Sequence, residues 1–215
     1  MADLKYDIYL VGVGGQGVLT IGELITGEAI RRGIPANFYP TKGMAQRGGF
    51  VKAQLRLGRG EVGPDIPEQG ADLVISMERS ESLKAVRYVK PGGSFIIYDH
   101  VWAPTAVMLG KAPYPTLEQV GDEIEKAGAS VYYIDPKNLP HYNGQLVPDN
   151  IFMLGVTMGQ TTLKNILDSG DMMKAIETRW KRSAERNLFA FSAGLTAGVG
   201  CSCPPVARER GQGDK

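Results

Sequence analysis

The 215-residue sequence has little of what several protein classes require. Its two cysteines, Cys201 and Cys203, are separated by one residue near the C-terminus. So close a pair cannot join distant elements by a disulfide bond, and two thiolates cannot supply the four ligands of an ordinary iron–sulfur cluster. Because 24 Lys and Arg face 23 Asp and Glu, the sequence lacks the strong positive charge that binds nucleic acid. It also has no apolar run of the roughly 18 residues that cross a bilayer and no signal-peptide pattern, so we expect a cytoplasmic protein that binds neither nucleic acid nor membrane.

A complete set of catalytic residues is also missing from the sequence. We find no nucleophile beside a base, no paired-carboxylate motif and no cluster of metal ligands. His100 follows a predicted strand and His141 lies between Pro140 and Tyr142, and we interpret both as loop histidines. The sequence therefore favours a chain that completes a site together with other chains.

Glycine, in contrast, is abundant: 28 of the 215 residues are glycine, about 13% of the chain against a usual share of roughly 7%. Gly12, Gly14 and Gly17 form a G-x-G-x-x-G pattern directly after a predicted strand and at the start of a predicted helix. Glycines let the backbone approach a ligand, and a helix N-terminus offers unpaired N–H groups and a positive dipole end. The pattern predicts a loop that binds phosphate or another anion, but close packing of the helix on the strand would require the same residues.

The dinucleotide-binding form of this pattern needs an acidic residue at the end of the second strand, about 20 residues further on. Residues 38–42 contain none, and two cations, Lys42 and Arg47, follow instead. This disfavours a nicotinamide or flavin dehydrogenase, and the missing Gly-Lys-Ser/Thr excludes a P-loop. A guanidinium at Arg47, among glycines, suits a bidentate grip on phosphate or carboxylate, although a solvated loop arginine remains an alternative.

The order of apolar segments predicts an α/β fold, with a Rossmann-like, mostly parallel sheet, flanking helices and a helical C-terminal segment. We expect one domain over residues 1–193 and a flexible tail over 194–215. Predicted strands cover residues 6–11, 36–39, 51–57, 72–77, 94–98 and 131–134, the third with one face in water and the fourth central. Predicted helices cover 18–33, a segment ending near residue 90, one opened by a capping box at Thr116 and Gln119, one capped by Asp149 and Asn150, and residues 173–191.

Two segments together carry a resemblance to a known family. The loop Gly-Val-Gly-Gly-Gln-Gly at 12–17 and the stretch Gly-Met-Ala-Gln-Arg-Gly-Gly at 43–49, which leads into an alternating strand, resemble the gamma-type subunit of 2-oxoacid:acceptor oxidoreductases. The second stretch is closest in form to the small (beta) subunit of the indolepyruvate type. The similarity covers roughly residues 5–193.

This resemblance implies one subunit of a complex that oxidatively decarboxylates a 2-oxoacid, such as indolepyruvate or phenylglyoxylate, to the acyl-CoA. It implies thiamine diphosphate and [4Fe-4S] clusters on partner subunits, with ferredoxin or another acceptor taking the electrons. It also implies that coenzyme A, or the reacting carboxylate, meets Gly14, Gly15, Gln16 and Gly17, with Arg47 nearby. The alternative is a stand-alone nucleotide-binding or regulatory module without a catalytic role.

Overall fold

A computed structural model of the chain describes residues 4–42 and 49–198. Its strands are β1 (Tyr6–Val13), β2 (Ala36–Lys42), β3 (Phe50–Leu57), β4 (Ala71–Ser76), β5 (Val89–Tyr98), β6 (Ser130–Ile134), β7 (His141–Tyr142) and β8 (Gln145–Leu146). Its helices are α1 (Val18–Arg31), α2 (Arg79–Ala85), α3 (Thr105–Met108), α4 (Leu117–Lys126), α5 (Asp149–Gln160), α6 (Ser169–Arg179) and α7 (Ala184–Leu195). In these described ranges no helix is both long and apolar enough to cross a membrane.

The six long strands form one sheet in the order β2-β3-β1-β4-β5-β6. β1, β4, β5 and β6 are parallel to one another, whereas β3 is antiparallel to both of its neighbours. The predicted mostly parallel α/β sheet is therefore confirmed, and β4 lies inside it as expected. The sequence does not reveal that β3 separates β1 from β2.

Apolar cores lie on both faces of the sheet. Alternate residues of β1 belong to different cores: Ile8 and Leu10 to one, Tyr9 and Val11 to the other. The first core also contains side chains of α1, α5, α6 and α7, and the second contains side chains of α4. Burial on both faces explains why β1 is a nearly continuous apolar run.

The polar face predicted for β3 is only partly in water. Gln54 is buried, because its side-chain oxygen accepts a hydrogen bond from the Ile66 amide at 2.7 Å and its nitrogen donates to Asp65 at 3.2 Å. Arg56 forms an ion pair with the buried Asp7 at 3.1 Å. A polar side chain can leave water when hydrogen bonds replace its solvation. The segment after β3 supplies those bonds, and alternation alone does not predict them.

The prediction that the second helix ends near residue 90 is wrong. α2 ends at Ala85, a 3-10 turn follows, and β5 already begins at Val89. The Pro91-Gly-Gly turn therefore lies inside β5, where the pairing with β4 shifts register between Ala71 and Leu73. Such an irregularity is one of the few places where a strand tolerates proline.

The helical pattern predicted over residues 173–191 is two helices. The backbone leaves the helical region at Trp180, with φ −124° and ψ 58°, and α7 starts after Ser183. α7 then continues to Leu195, past the predicted start of the tail at Gly194. A Cβ on Gly194 would overlap the Phe152 carbonyl of α5, so this glycine permits a close helix contact. Residues 199–215, with Cys201 and Cys203, lie outside the described residues.

Candidate functional site

The glycine loop connects the end of β1 to α1 and is exposed at its tip. Gly15 has φ +104° and Gly17 has φ +72°, conformations that side chains rarely adopt. A Cβ on Gly15 would meet no atom of residues 4–42 or 49–198 within 4 Å. A Cβ on Gly17 would overlap the side-chain amide of Asn150. Gly15 is therefore free of contacts from the described part of the chain, whereas Gly17 packs against the start of α5.

Gln16 points into the protein and holds the loop in shape. Its side-chain oxygen accepts a hydrogen bond from the Val13 amide at 2.9 Å, and its nitrogen donates to the Met77 carbonyl at 2.6 Å. Only 9% of the residue is exposed. The resemblance implies that Gln16 faces ligand, but the structure uses its amide to tie the loop to the end of β4.

The other two glycines of the loop serve backbone packing. Gly12 pairs with Val51 inside the sheet, and a Cβ there would come within 2.7 Å of a Val18 methyl group. The Gly14 amide donates to the Gly49 carbonyl at 2.8 Å. Of the two roles that the sequence left open, packing is therefore present at Gly12, whereas ligand binding at Gly15 stays a prediction.

The N-terminus of α1 has no cap made by a side chain. Gly17 occupies the cap position, and the first turn contains no acidic residue. The first N–H groups of a helix have no partner within the helix and carry the positive end of its dipole. In this 14-residue helix they come shortly after Gly15 in the chain, and a helix N-terminus of this kind can bind an anion.

The two predicted cationic residues belong to the neighbouring connection. The backbone of Lys42 pairs with Val51, which pairs on its other side with Gly12, so Lys42 and the glycine loop share one end of the sheet. Arg47 lies outside the described residues. The flanks of its segment are Lys42 and Gly49, and Gly49 is hydrogen-bonded to the glycine loop. Arg47 and the Lys42 side chain stay predictions.

Sequence reasoning missed a buried carboxylate at the same edge. Glu78 lies two residues after the end of β4 and is 0% exposed. One carboxylate oxygen accepts from the Ser80 hydroxyl at 2.7 Å and the Glu81 amide at 2.9 Å. The other accepts from the Trp102 amide at 3.1 Å and from the Tyr114 hydroxyl. Burial, and then the bond to Glu78, raises the pKa of Tyr114. The signal in the sequence is a charged residue at the carboxyl end of an apolar strand.

Further polar groups complete the edge at the ends of β5 and β6. Arg79 and Asp99 form a bidentate ion pair at 2.5 and 2.7 Å, and the Tyr133 hydroxyl donates to Asp99 at 2.9 Å. This pairing leaves the charges largely neutralised within the protein. The His100 carbonyl accepts from the Arg79 amide at 3.0 Å, in the loop position expected for this histidine.

The start of α5 differs from the predicted cap. Pro148 occupies the cap position, and Asp149 is the first helical residue, its carboxylate accepting from the Asn150 amide at 2.7 Å. Burial raises the pKa of Asp149. Proline carries no N–H group that a helix start would leave unpaired, so it suits this position.

Taken together, these groups do not form a catalytic set. Among residues 4–42 and 49–198, no group of three or more His, Cys, Asp or Glu could hold a metal ion. The carboxylates Glu78 and Asp99 are occupied by donors of the chain itself. At the start of α1, backbone N–H groups have no side-chain cap from the described residues, and such groups can bind an anion but cannot transfer electrons.

Comparison with known families and curated proteins agrees with this arrangement. Residues 7–197 match the model of the family described as pyruvate ferredoxin/flavodoxin oxidoreductase. The chain is 34% identical over 201 residues to indolepyruvate oxidoreductase subunit IorB of Thermococcus kodakarensis, covering 90% of this chain and 96% of the relative. It is 30% identical over 197 residues to the subunit of the same name from Archaeoglobus fulgidus, covering 91% and 96%.

Solved structures share the fold at lower identity. Pyruvate oxidoreductase subunit PORC from Thermotoga maritima has a TM-score of 0.67 at 19% identity, with 93% of this chain and 99% of that chain covered. The 2-oxoglutarate:ferredoxin oxidoreductase from Magnetococcus marinus, with 2-oxoglutarate, coenzyme A and succinyl-CoA bound, has a TM-score of 0.64 at 18% identity. There the similarity covers 93% of this chain and 32% of the longer one.

Proposed function

The chain belongs to the pyruvate ferredoxin/flavodoxin oxidoreductase family, and we propose that it forms the region of the assembled active site that receives coenzyme A. It is the small subunit of a 2-oxoacid:ferredoxin oxidoreductase. In such a complex the thiamine diphosphate and iron–sulfur clusters belong to partner subunits. They supply the carbanion chemistry and the electron transfer, and this chain supplies binding and positioning.

One observation carries the proposal: no described side chain caps the N-terminus of α1, and no described residue contacts the Cβ position of Gly15 just before it. Coenzyme A carries phosphate groups, and a 2-oxoacid carries a carboxylate. Either anion would meet unpaired N–H groups and a positive dipole end there. The Gln16 amide supports this role indirectly, because it holds the loop in the shape that keeps Gly15 exposed.

A stand-alone dinucleotide-binding module is less compatible with the sheet. In that class, the strand that provides the ribose-binding acid lies next to β1. Here the antiparallel β3 stands between β1 and β2, and β2 ends in Lys42 with no acidic residue. The second strand therefore ends about 10 Å from β1, since neighbouring strands are roughly 4.8 Å apart.

We further propose an aryl 2-oxoacid as the substrate and its acyl-CoA as the product, formed in the cytoplasm. The relatives at 30% and 34% identity are named for indolepyruvate, which supports an aryl side chain such as that of indolepyruvate or phenylglyoxylate. The complex from Magnetococcus marinus contains coenzyme A, which supports coenzyme A as the acyl acceptor.

Thr20, in the first turn of α1, allows a direct test with a matched control. Thr20→Glu places a carboxylate where it can reach back to the helix N-terminus, so it stabilises α1 but competes with an anionic ligand. Thr20→Gln has nearly the same shape without the charge. In the reconstituted complex, we expect Thr20→Glu to raise the KM for coenzyme A or the 2-oxoacid about tenfold, which corresponds to roughly 1.4 kcal/mol.

The expected pattern separates binding from folding. Thr20→Glu should melt at or above the temperature of the wild-type subunit, whereas Thr20→Gln should leave both KM values within about twofold. Equal KM values in all three proteins would show that no anion binds at this helix, and the proposal would then be wrong.

A further inference from the structure

Trp102 is a large exposed ring at the same edge of the sheet as the glycine loop. It is 47% exposed, in the connection that follows β5. The carboxyl ends of β1, β4 and β5 lie side by side, because these strands are adjacent and parallel. A chain of contacts joins the two features. The glycine loop is bonded through Gln16 to Met77, and the next residue, Glu78, accepts from the Trp102 amide.

The Glu78 carboxylate fixes the base of the Trp102 connection at two points. It accepts from the Trp102 amide at 3.1 Å, where the chain leaves β5, and from the Tyr114 hydroxyl, where the chain approaches α4. The carboxylate is fully buried, so both bonds are shielded from water. The Trp102 backbone is thus held at a defined position and does not depend on a packed side chain for its place.

Three aromatic rings lead from the core to this surface. Tyr98 is 3% exposed. Its ring is nearly parallel to that of His100, with an angle of 4° between the ring planes and 6.1 Å between the ring centroids. His100 lies 6.3 Å from Trp102 at 31°. Trp102 is the outer member, and its ring neighbour is His100.

From this arrangement we propose that Trp102, supported by His100, is a stacking platform for a planar ring of a ligand bound at the glycine loop. The inference rests on the proposed function, which provides two sources of such a ring: the adenine of coenzyme A and the aryl group of the 2-oxoacid. A preorganised indole face binds planar rings with little loss of conformational freedom. The anion at α1 and the ring at Trp102 would then hold two parts of one ligand, or of two ligands that react together.

The test compares Trp102→Leu, which keeps apolar bulk, with Trp102→Phe, which keeps a ring, in the reconstituted complex. For the wild type and each variant, we would measure the KM of each acyl acceptor and of each 2-oxoacid. Titration calorimetry would give the Kd of coenzyme A. Trp102→Leu should weaken the ring-bearing ligand about 5- to 150-fold, the range of base stacking on an aromatic side chain. Trp102→Phe should stay within about threefold of the wild type.

Comparing each ligand with an analogue that lacks the ring identifies which ligand stacks on Trp102. If adenine stacks, Trp102→Leu raises the Kd and KM of coenzyme A but not the KM of pantetheine. If the substrate ring stacks, Trp102→Leu raises the KM of phenylglyoxylate but not that of pyruvate. Either result supports the platform, because only a ligand with a ring at Trp102 is affected.

Met108 provides the control for the competing explanation, that this loop packs on a partner subunit. It is 70% exposed and apolar, and lies in the same connection without joining the aromatic rings. If Trp102→Leu and Met108→Ala both release the subunit from the complex on gel filtration, the platform is wrong. It is equally wrong if the wild-type complex forms acyl-CoA and Trp102→Leu leaves every KM unchanged. A wild-type complex that forms no acyl-CoA would instead contradict the proposed function.

Discussion

Replacing Glu78 with glutamine should destabilise the subunit far more than the same change three residues later. Each carboxylate oxygen of Glu78 accepts two hydrogen bonds, one of them from a backbone amide: Glu81 on one side and Trp102 on the other. Glutamine has an NH₂ group in place of one of these oxygens. The hydroxyl and the backbone amide that donated to that oxygen then face another donor, and both hydrogen bonds are lost. The Ser80 or Tyr114 hydroxyl can rotate away, but the backbone amide cannot.

A buried donor left without an acceptor costs about 1–3 kcal/mol, and bonds to a charged acceptor lie at the upper end of that range. With two bonds lost, we expect Glu78→Gln to reduce the free energy of unfolding by about 2–5 kcal/mol. The measurement is guanidinium unfolding of the purified subunit, where an unchanged m value ensures that midpoints can be compared.

Glu81→Gln is the matched control. Glu81 is also buried, but one of its oxygens has no hydrogen-bond partner, and the other binds the mostly exposed Lys84 at 2.9 Å. Its charge is therefore poorly compensated, and we expect the amide to change stability by no more than about 1 kcal/mol. Equal losses in the two variants, or a loss below 1 kcal/mol for Glu78→Gln, would refute the assignment of Glu78 as the anchor of the Trp102 connection.

Two further predictions concern the same edge. Gly17→Ala should lower the free energy of unfolding by about 1–2 kcal/mol because of the positive φ, and by a further amount because the new Cβ overlaps Asn150. In thermal unfolding, the double variant with Asn150→Ala should regain only the part of the stability that the overlap cost. If the double variant regains no stability, the contact between Gly17 and Asn150 is excluded. Burial raises the pKa of Glu81 above its ordinary 4.5, so its favourable contribution is present below pH 4.5 and is lost as the pH rises through the folded-state pKa. The stability of Glu81→Gln relative to the wild type should therefore increase from pH 4 to pH 7 in denaturant titrations, and a difference that does not vary with pH would contradict the desolvation of this carboxyl.

Local features of the fold were predictable because they depend on residues a few positions apart. The capping box at Thr116 and Gln119 forms both of its expected hydrogen bonds, since the partners are three residues apart. The strand, glycine turn and helix from β1 to α1 follow from the apolar run and from the freedom of glycine to adopt positive φ. The family resemblance rests on such local stretches too, and the family match confirms it.

Tertiary structure decided which distant segments meet. Nothing in the local pattern of β3 places it between β1 and β2, because the order of strands depends on long-range pairing of surfaces that all look alike in sequence. Glu78 collects donors from Trp102 and Tyr114, which are 24 and 36 residues away, and Gln16 turns inward to a carbonyl 61 residues away. A buried polar group must find its partner wherever the fold brings one. The sequence by itself therefore determined the glycine turn and the type of each long segment, whereas the fold decided which side chains hold the site and which part of the backbone stays open to a ligand.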